Sequence, residues 1–259
     1  MKKYHTVATI DVLRHGEKTE AGELTPEGFS QAAMKAIQID HLEGIIHACH
    51  SGNDRVMKTV SMVHNLLSKK TNYIQEAEFV EDLYNHLQGK EELFNIDSKT
   101  IPELHYLYNP SIKGDYFGSW NKTVDYKNTC QRMQNFLDFR EISPEPGIVP
   151  SPKEMAQRLF GVVLNQITSV TDTRYNSREN FINGTHEPVI MSGIFYMLNY
   201  FKAGKKDFVT HIGGSVDFTE GFHIKIYQDK LDNFIYQFFF RNYVIDFSVD
   251  ELKKFVNEK

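Results

Sequence analysis

The sequence predicts an α/β fold: a three-layer α/β/α sandwich with a mostly parallel sheet and helices on both faces. Its N-terminal part has the order strand, helix, strand, helix, which is typical of parallel sheets covered on both faces. The chain has 259 residues, of which 41% are hydrophobic and 24% charged, the size and balance of an ordinary globular domain. We therefore expect one domain over residues 1–259, with a cap-like insertion at about 85–150 and a C-terminal hairpin.

The first four elements follow from local patterns. Residues 5–13 are β-branched and apolar and predict a buried strand. A helix is expected over about 26–38, because a threonine suited to the N-cap precedes a proline suited to the first helical position. A second strand is predicted over 44–49. A second helix is expected to begin near Ser51 and Asp54, whose spacing of three resembles a capping box.

The middle of the chain has a different composition. Residues 85–150 interleave tyrosine, phenylalanine and tryptophan with glycine and proline, and we interpret them as an insertion or cap over the sheet edge. After this segment, hydrophobic patterning again indicates regular elements. They are, in order, a helix over about 152–167, a strand over 179–185, an apolar helix over 189–200, a hairpin of strands 222–227 and 234–240, and a helix over 249–256.

Charge and composition exclude several classes of protein. The net charge is −5 and no basic tract occurs, which argues against a nucleic-acid-binding protein. No apolar run is long enough to cross a bilayer, and the apolar stretch near the N-terminus is interrupted by Asp11, which argues against a signal peptide. The two cysteines, Cys49 and Cys130, fit neither a zinc ribbon nor a disulfide scaffold. We expect reduced thiols and a cytoplasmic protein.

Unusual polar residues follow three of the predicted strands. Arg14 and His15 end the first strand, Arg55 lies in the first turn of the helix after the second, and His186 and Glu187 follow the strand over 179–185. In open α/β sheets, ligands bind at the carboxyl ends of strands and near helix N-termini. The sequence therefore predicts that two arginines, two histidines and a carboxylate converge on one rim.

This set of side chains suits phosphoryl transfer. Guanidinium groups of Arg14 and Arg55 can hold the equatorial oxygens of a phosphoryl group, over which its negative charge is spread. A neutral imidazole on His15 can attack phosphorus in line and form a phosphohistidine. His186 can donate to an equatorial oxygen, and a nearby carboxylic acid can protonate the leaving oxygen. We expect no metal or cofactor, because fixed arginines supply the electrostatic stabilisation.

Four segments carry a family resemblance. They are residues 13–17 (LRHGE), 24–32 (LTPEGFSQA), 50–60 (HSGNDRVMKTV) and 185–188 (THEP). In this order they resemble the signatures of the histidine phosphatase (phosphoglycerate mutase-like) superfamily. The resemblance covers about 5–67 closely and 150–200 loosely.

The segment over 50–60 departs from the family pattern in three places. Gly52 stands where a proline is usual, and Val56 and Val60 replace alanines. Arg55 and Thr59 match the pattern.

The resemblance implies a role for most of these residues. His15 would be the phosphorylated nucleophile, and Arg14, Arg55 and His186 would form the phosphate pocket. We count Gly16 with the substrate-binding residues.

Two further assignments from the resemblance are less direct. Lys18 stands where some acid phosphatases of this superfamily carry another phosphate-binding arginine, although lysine lacks the guanidinium fork. Two carboxylates compete as proton donor. Glu81 lies 26 residues after Arg55 (81 − 55), as in the mutase-like branch, whereas Glu187 directly follows the second histidine, as in the acid-phosphatase branch.

The loop after the first strand bears on the choice between hydrolase and mutase. Only residues 17–23 separate Gly16 from Leu24, which is too short for the sugar-acid-binding loop of the mutases. We therefore expect a metal-independent phosphatase that acts on a phosphorylated small molecule or a phosphoprotein. A mutase-like phosphotransferase and a non-catalytic phosphate-binding protein are the alternatives. The sequence predicts neither the substrate nor the oligomeric state.

Overall fold

The structure is a computed structural model that describes residues 4–39, 44–71, 78–79, 125–143, 150–172, 178–201 and 208–258. The strands are β1 (His5–Arg14), β2 (Ile45–His50), β3 (Glu78–Phe79), β4 (Glu179–Thr185), β5 (Gly221–Gln228), β6 (Phe234–Phe240) and β7 (Tyr243–Phe247). The helices are α1 (Pro26–Gln38), α2 (Asp54–Thr71), α3 (Asp125–Asp138), α4 (Pro152–Asp172), α5 (Glu187–Phe201), α6 (Phe208–His211) and α7 (Val249–Asn257).

Within these residues the strands form one sheet in the order β3-β2-β4-β1-β5-β6-β7. The ladders from β3 to β1 are parallel, and those from β1 to β7 are antiparallel. The α/β class is confirmed, but the sheet is parallel in only half of its ladders. Strand β7 was not predicted from the sequence. It pairs with β6 across a turn that has Arg241 in the left-handed region, at φ 49°, and no glycine.

The register of the central strands places three strand ends side by side. Arg14 at the end of β1 is opposite Thr185 at the end of β4. On the other side of β4, Gly184 is opposite His50 at the end of β2. Because these ladders are parallel, the residues that follow β1, β2 and β4 emerge at the same edge of the sheet.

Two hydrophobic clusters lie on opposite faces of the sheet. The smaller one joins α1 and α2 to sheet residues such as Leu13 and Ile182. The larger one joins α3 to α7 to sheet residues such as Ile10, Val12 and Phe181. Leu13 and Val12 therefore point to opposite faces, as successive residues of a strand must. The predicted three-layer arrangement is confirmed.

The two N-terminal helices differ in how well their starts were predicted. Helix α1 begins at Pro26, and the Thr25 hydroxyl accepts a hydrogen bond from the Gly28 N–H, as the N-cap prediction requires. Helix α2 begins at Asp54, where the Asn53 side-chain oxygen accepts from the Arg55 N–H at 3.1 Å. The capping role predicted for Ser51 is therefore wrong, because Asn53 takes it.

Part of the predicted insertion belongs to the main core. Helix α3 buries Met133, Phe136 and Leu137 in the larger cluster, so this stretch of 85–150 is not a cap over the sheet edge. Residues 80–124 and 144–149 lie outside the described residues, and for them the insertion stays a prediction. No helix in the described ranges combines the length and apolar composition needed to cross a bilayer.

Candidate active site

The backbone after β1 is held against the start of α1 by two glycines. A Cβ atom on Gly16 would lie 2.4 Å from the Gly28 carbonyl oxygen, and one on Gly28 would lie 2.2 Å from the Glu17 carbonyl oxygen. Neither position has space for a side chain, since backbone atoms cannot move aside. This close approach links two of the sequence segments and fixes the direction in which the chain leaves His15.

His15 is fully buried, and both of its ring nitrogens have partners. Nδ1 lies 2.7 Å from the Gly16 carbonyl oxygen, and Arg55 Nε lies 3.1 Å from Nε2. Since a carbonyl can only accept and an arginine N–H can only donate, the proton is on Nδ1 and the lone pair is on Nε2. Burial, followed by the charges of His186, Arg14 and Arg55, holds the pKa of His15 well below its ordinary value of 6.5. The ring is therefore neutral at pH 7.

Gly16 also connects β1 to α2. Its N–H donates to the Thr59 hydroxyl at 3.0 Å, and that hydroxyl donates to the Arg55 carbonyl at 2.7 Å. The N–H and carbonyl of Gly16 are thus occupied by Thr59 and His15. These bonds orient His15, and the direct substrate binding predicted for Gly16 stays a prediction.

His186 lies beside His15 at the end of β4. The two ring centroids are 5.4 Å apart and the ring planes meet at 69°. Ser51 Oγ lies 3.2 Å from His186 Nε2, whereas Nδ1 is buried and has no hydrogen-bond partner among the described residues. Burial lowers the pKa of His186 well below its ordinary value, with smaller effects from Arg55, Arg14 and Lys18.

Arg14 is 1% exposed and is held on three sides. Its Nη1 donates to the Val216 carbonyl at 2.8 Å, and its Nη2 pairs with Glu187 Oε2 at 3.1 Å. The Phe218 ring lies under the guanidinium, with its centroid 4.4 Å from Cζ. The Nε atom is buried and has no partner within the described part of the chain.

Glu187 is 2% exposed and binds two groups. Besides the ion pair with Arg14, its Oε1 accepts a hydrogen bond from the Ser215 hydroxyl. Burial raises the pKa of Glu187, and the Arg14 guanidinium and the Ser215 hydroxyl offset only part of that effect.

Known proteins of similar structure show which fold this chain has. No family model matches the sequence, and no match was found among curated proteins. Among solved structures, mycobacterial hydrolase 1 is similar at 13% identity and a TM-score of 0.50, over 92% of this chain and 99% of the other. A mycobacterial glucosyl-3-phosphoglycerate phosphatase is similar at 14% identity and a TM-score of 0.51, over 90% of this chain and 98% of the other.

These solved structures are members of the histidine phosphatase superfamily. The chain has the histidine phosphatase fold. At identities this low the likeness concerns the fold alone, because one fold can carry many different activities.

In this histidine phosphatase fold, four of the predicted site residues meet at one edge of the sheet: Arg14, His15, Arg55 and His186. Glu187 joins them through Arg14. Lys18 is partly buried and forms a β-bridge with Leu24, and its charge acts on the pKa of His186.

Arg55 and the loop over 17–23 also approach each other closely. A Cβ atom on Gly22, which has φ +86°, would lie 3.3 Å from Arg55 Nη1. Glu81 lies outside the described residues, so its predicted role as proton donor stays a prediction.

Three residues of the site escaped the sequence analysis: Ser51, Ser215 and Phe218. Ser51 lies within the segment over 50–60, directly after a strand end, and that position was a usable signal. Ser215 and Phe218 come from the stretch between α6 and β5, where no motif marks them. Tertiary packing alone brings Ser215 to Glu187 and Phe218 to Arg14.

Proposed function

We propose that this protein is a metal-independent phosphatase that forms a phosphohistidine on His15. One observation carries the proposal: the Nε2 lone pair of a buried, neutral histidine lies among cationic and neutral N–H donors. Arg55 Nε is 3.1 Å from that atom. Arg14 Nε and His186 Nδ1 are buried nearby and lack partners among the described residues, as groups that bind an anion would.

In the first step, the Nε2 lone pair of His15 forms a bond to phosphorus as the ester P–O bond breaks. Arg14, Arg55 and His186 bind the three equatorial oxygens, on which negative charge is concentrated in the transition state. The electron pair of the broken bond goes to the leaving oxygen, which takes a proton from a carboxylic acid. Throughout this step, the bond from Nδ1–H to the Gly16 carbonyl keeps the ring oriented.

In the second step, water attacks the phosphohistidine. The N–P bond breaks, its electron pair returns to Nε2, and the carboxylate formed in the first step takes the proton of the attacking water. Inorganic phosphate then leaves, and the neutral imidazole is restored. Glu81 and Glu187 are the two candidates for the carboxylic acid.

The substrate in this proposal is a phosphomonoester, either a phosphorylated small molecule or a phosphoprotein. The phosphatase activity named for a protein of the same fold supports the reaction class. The tight loop over 17–23, closed by the Thr19 N–H on the Glu23 carbonyl at 2.7 Å, supports hydrolysis over mutase chemistry. We also propose a cytoplasmic location, supported by the two buried thiols of Cys49 and Cys130.

The test compares wild type and His15→Ala on a panel of phosphate esters with chelator present. Wild type should turn over at least one ester and take up an acid-labile, base-stable phosphoryl label, whereas His15→Ala should do neither. His5→Ala is the matched control, because it removes an exposed histidine at the opposite end of the same strand. A phosphoryl label that persists in His15→Ala, or wild-type turnover abolished by chelator, would contradict the proposal.

A further inference from the structure

The segment over 212–220, between α6 and β5, supports one side of Arg14. Three of its groups touch the site: the Val216 carbonyl accepts from Arg14, the Phe218 ring lies under the guanidinium, and the Ser215 hydroxyl donates to Glu187. Since Glu187 also pairs with Arg14, the segment holds this arginine both directly and through the carboxylate.

Both carboxylate oxygens of Glu187 are therefore in use, Oε2 by Arg14 and Oε1 by Ser215. A general acid must present its proton within hydrogen-bond reach of the leaving oxygen. We propose that Glu187 is a positioning residue, which acts with Ser215 to hold Arg14 and does not protonate the leaving group. This inference rests on the proposed function and assigns a role within the same site.

The raised pKa of Glu187 is compatible with either role, so the contacts must decide. Burial at 2% exposure explains the direction of the shift without a catalytic role. The contacts favour positioning, because a buried arginine needs a buried counter-ion, whereas a proton donor needs an oxygen that can reach substrate. Glu81, the other candidate from the sequence, is then the first residue to test as the acid.

Arg241, in the turn between β6 and β7, fixes the backbone of this segment. Its Nη1 donates to the carbonyls of Ile212 and Gly214 at 2.7 and 2.9 Å, and its Nη2 donates to the Ser215 carbonyl at 2.9 Å. Its Nε and Nη2 also bind both carboxylate oxygens of Glu220, each at 2.7 Å. The backbone that carries Ser215 is thus held to the β6–β7 turn, as a rigid support for Glu187 requires.

The test uses two esters that differ in leaving group, p-nitrophenyl phosphate and glycerol 2-phosphate. The alcohol oxygen of glycerol 2-phosphate must be protonated as it leaves, whereas p-nitrophenolate can leave without a proton. Glu187→Gln can keep both contacts, since its amide oxygen accepts from Arg14 and its amide N–H donates to Ser215, but it has no acidic proton. We expect kcat to fall by the same factor on both esters, to within about threefold. A loss on glycerol 2-phosphate larger than this, towards the ~10²–10⁴-fold typical of a lost general acid, would overturn the inference.

Removing the Glu187 side chain, which holds Arg14, should lower the rate of hydrolysis of both esters by similar factors. In Glu187→Ala we expect kcat/KM to fall about 10²-fold on both esters, the usual size for a displaced catalytic group, with weaker inhibition by inorganic phosphate. If thermal melting shows that this variant does not fold, Ser215→Ala replaces it, since it keeps the ion pair. Ser215→Ala should lose several-fold on both esters. Wild-type rates in both alanine variants would overturn the inference.

Failure of the proposed function would be visible separately, as wild-type protein that turns over neither ester. The inference is then decided by calorimetric binding of inorganic phosphate. Binding that is retained in Glu187→Gln and weakened in Glu187→Ala would support it. Equal behaviour of wild type and the two variants would overturn it.

Discussion

The partners of a single imidazole determine which of its nitrogens can react. Gly16 accepts from Nδ1 of His15 and Arg55 donates to Nε2, so the lone pair lies on the atom that faces the guanidinium. Gly16 also lies where the chain passes very close to Gly28, so this position has no space for a side chain. The reactivity assigned to His15 thus depends on the backbone carbonyl of a neighbouring glycine.

We predict that Gly16→Ala destabilises the protein by about 2 kcal/mol or more, as expected for overpacking against fixed atoms, and removes most phosphatase activity. The new Cβ would lie 2.4 Å from the Gly28 carbonyl oxygen, so the loop that carries His15 must shift. Urea unfolding and turnover of p-nitrophenyl phosphate measure the two effects.

Gly161→Ala is the matched control for this prediction. It lies in α4, and among the described residues its Cβ would meet only Val256 Cγ1, at 3.9 Å. Because alanine favours helix over glycine, we expect this variant to be as stable as wild type or about 0.5–1 kcal/mol more stable. A Gly16→Ala protein with wild-type stability and activity would contradict the tight approach of the two glycines.

At the scale of elements, the packing of α2 on β4 accommodates the two valines of α2, Val56 and Val60. A Cβ atom on Gly184 would lie 2.2 Å from Val60 Cγ2 and 2.8 Å from Val56 Cγ1. The absence of a side chain on β4 thus makes room for two larger residues on α2. This complementarity sets the distance of Arg55, in the first turn of α2, from the strand ends.

We predict that Gly184→Ala lowers the free energy of unfolding by about 1–3 kcal/mol, and that adding Val60→Ala recovers part of the loss. The single Val60→Ala variant should also be less stable than wild type, because it leaves a cavity. Urea unfolding of the four proteins gives the coupling free energy. Strictly additive effects of the two substitutions would contradict the contact.

Elements were predictable where their signals are local. Thr25 and Pro26 fix the start of α1 through a hydrogen bond and a preset φ, and both act within one turn. The capping role predicted for Ser51 was wrong, because its hydroxyl lies against His186, which is 135 residues away in sequence. Gly52 has φ +82°, which proline cannot adopt, so this turn also departs from the family pattern for a structural reason.

The four main site residues could be predicted because each ends a strand, directly follows one or lies in the first turn of a helix, and parallel strands bring such positions together. The support of Arg14 could not be predicted. It depends on the segment over 212–220, whose position is set by the guanidinium of Arg241. No local pattern in the sequence links Ser215 to Glu187 or Phe218 to Arg14.

At the scale of the whole molecule, buried titratable groups make stability depend on pH in two opposing directions. Burial lowers the pKa of His15 and His186 well below 6.5 and that of His223 to about 4. Below about pH 6.5 the unfolded chain therefore binds protons that these histidines in the folded protein do not, and stability falls with acid. Asp11 has the opposite effect, because burial raises its pKa from 3.8 to about 6 despite the charges of Lys35, Lys225 and Arg178.

We predict that Asp11→Asn makes the protein about 1–3 kcal/mol more stable at pH 7.5, since it removes a buried charge. A carboxyl whose folded pKa is raised destabilises the folded state fully above about pH 6 and not at all below its unfolded value of 3.8. The difference from wild type should therefore shrink between pH 7.5 and 5 in urea unfolding.

Asp246→Asn provides the control for this pH dependence, because it replaces an exposed carboxylate whose hydrogen bond from Gln237 an amide can keep. We expect that variant to match wild type to within about 0.5 kcal/mol at both pH values. A difference in the free energy of unfolding between Asp11→Asn and wild type that does not change with pH would contradict the burial of the Asp11 carboxyl.

Strand β1 is paired on both sides, with β4 and with β5, and it ends at Arg14, next to His15. Backbone segments paired in this way at the centre of a sheet open only when the whole domain opens. Loosening of peripheral helices should thus leave His15 in place, so that heat inactivation and global melting occur as one event. The outer loops of such a fold can therefore vary in sequence without displacing the residues at the end of β1.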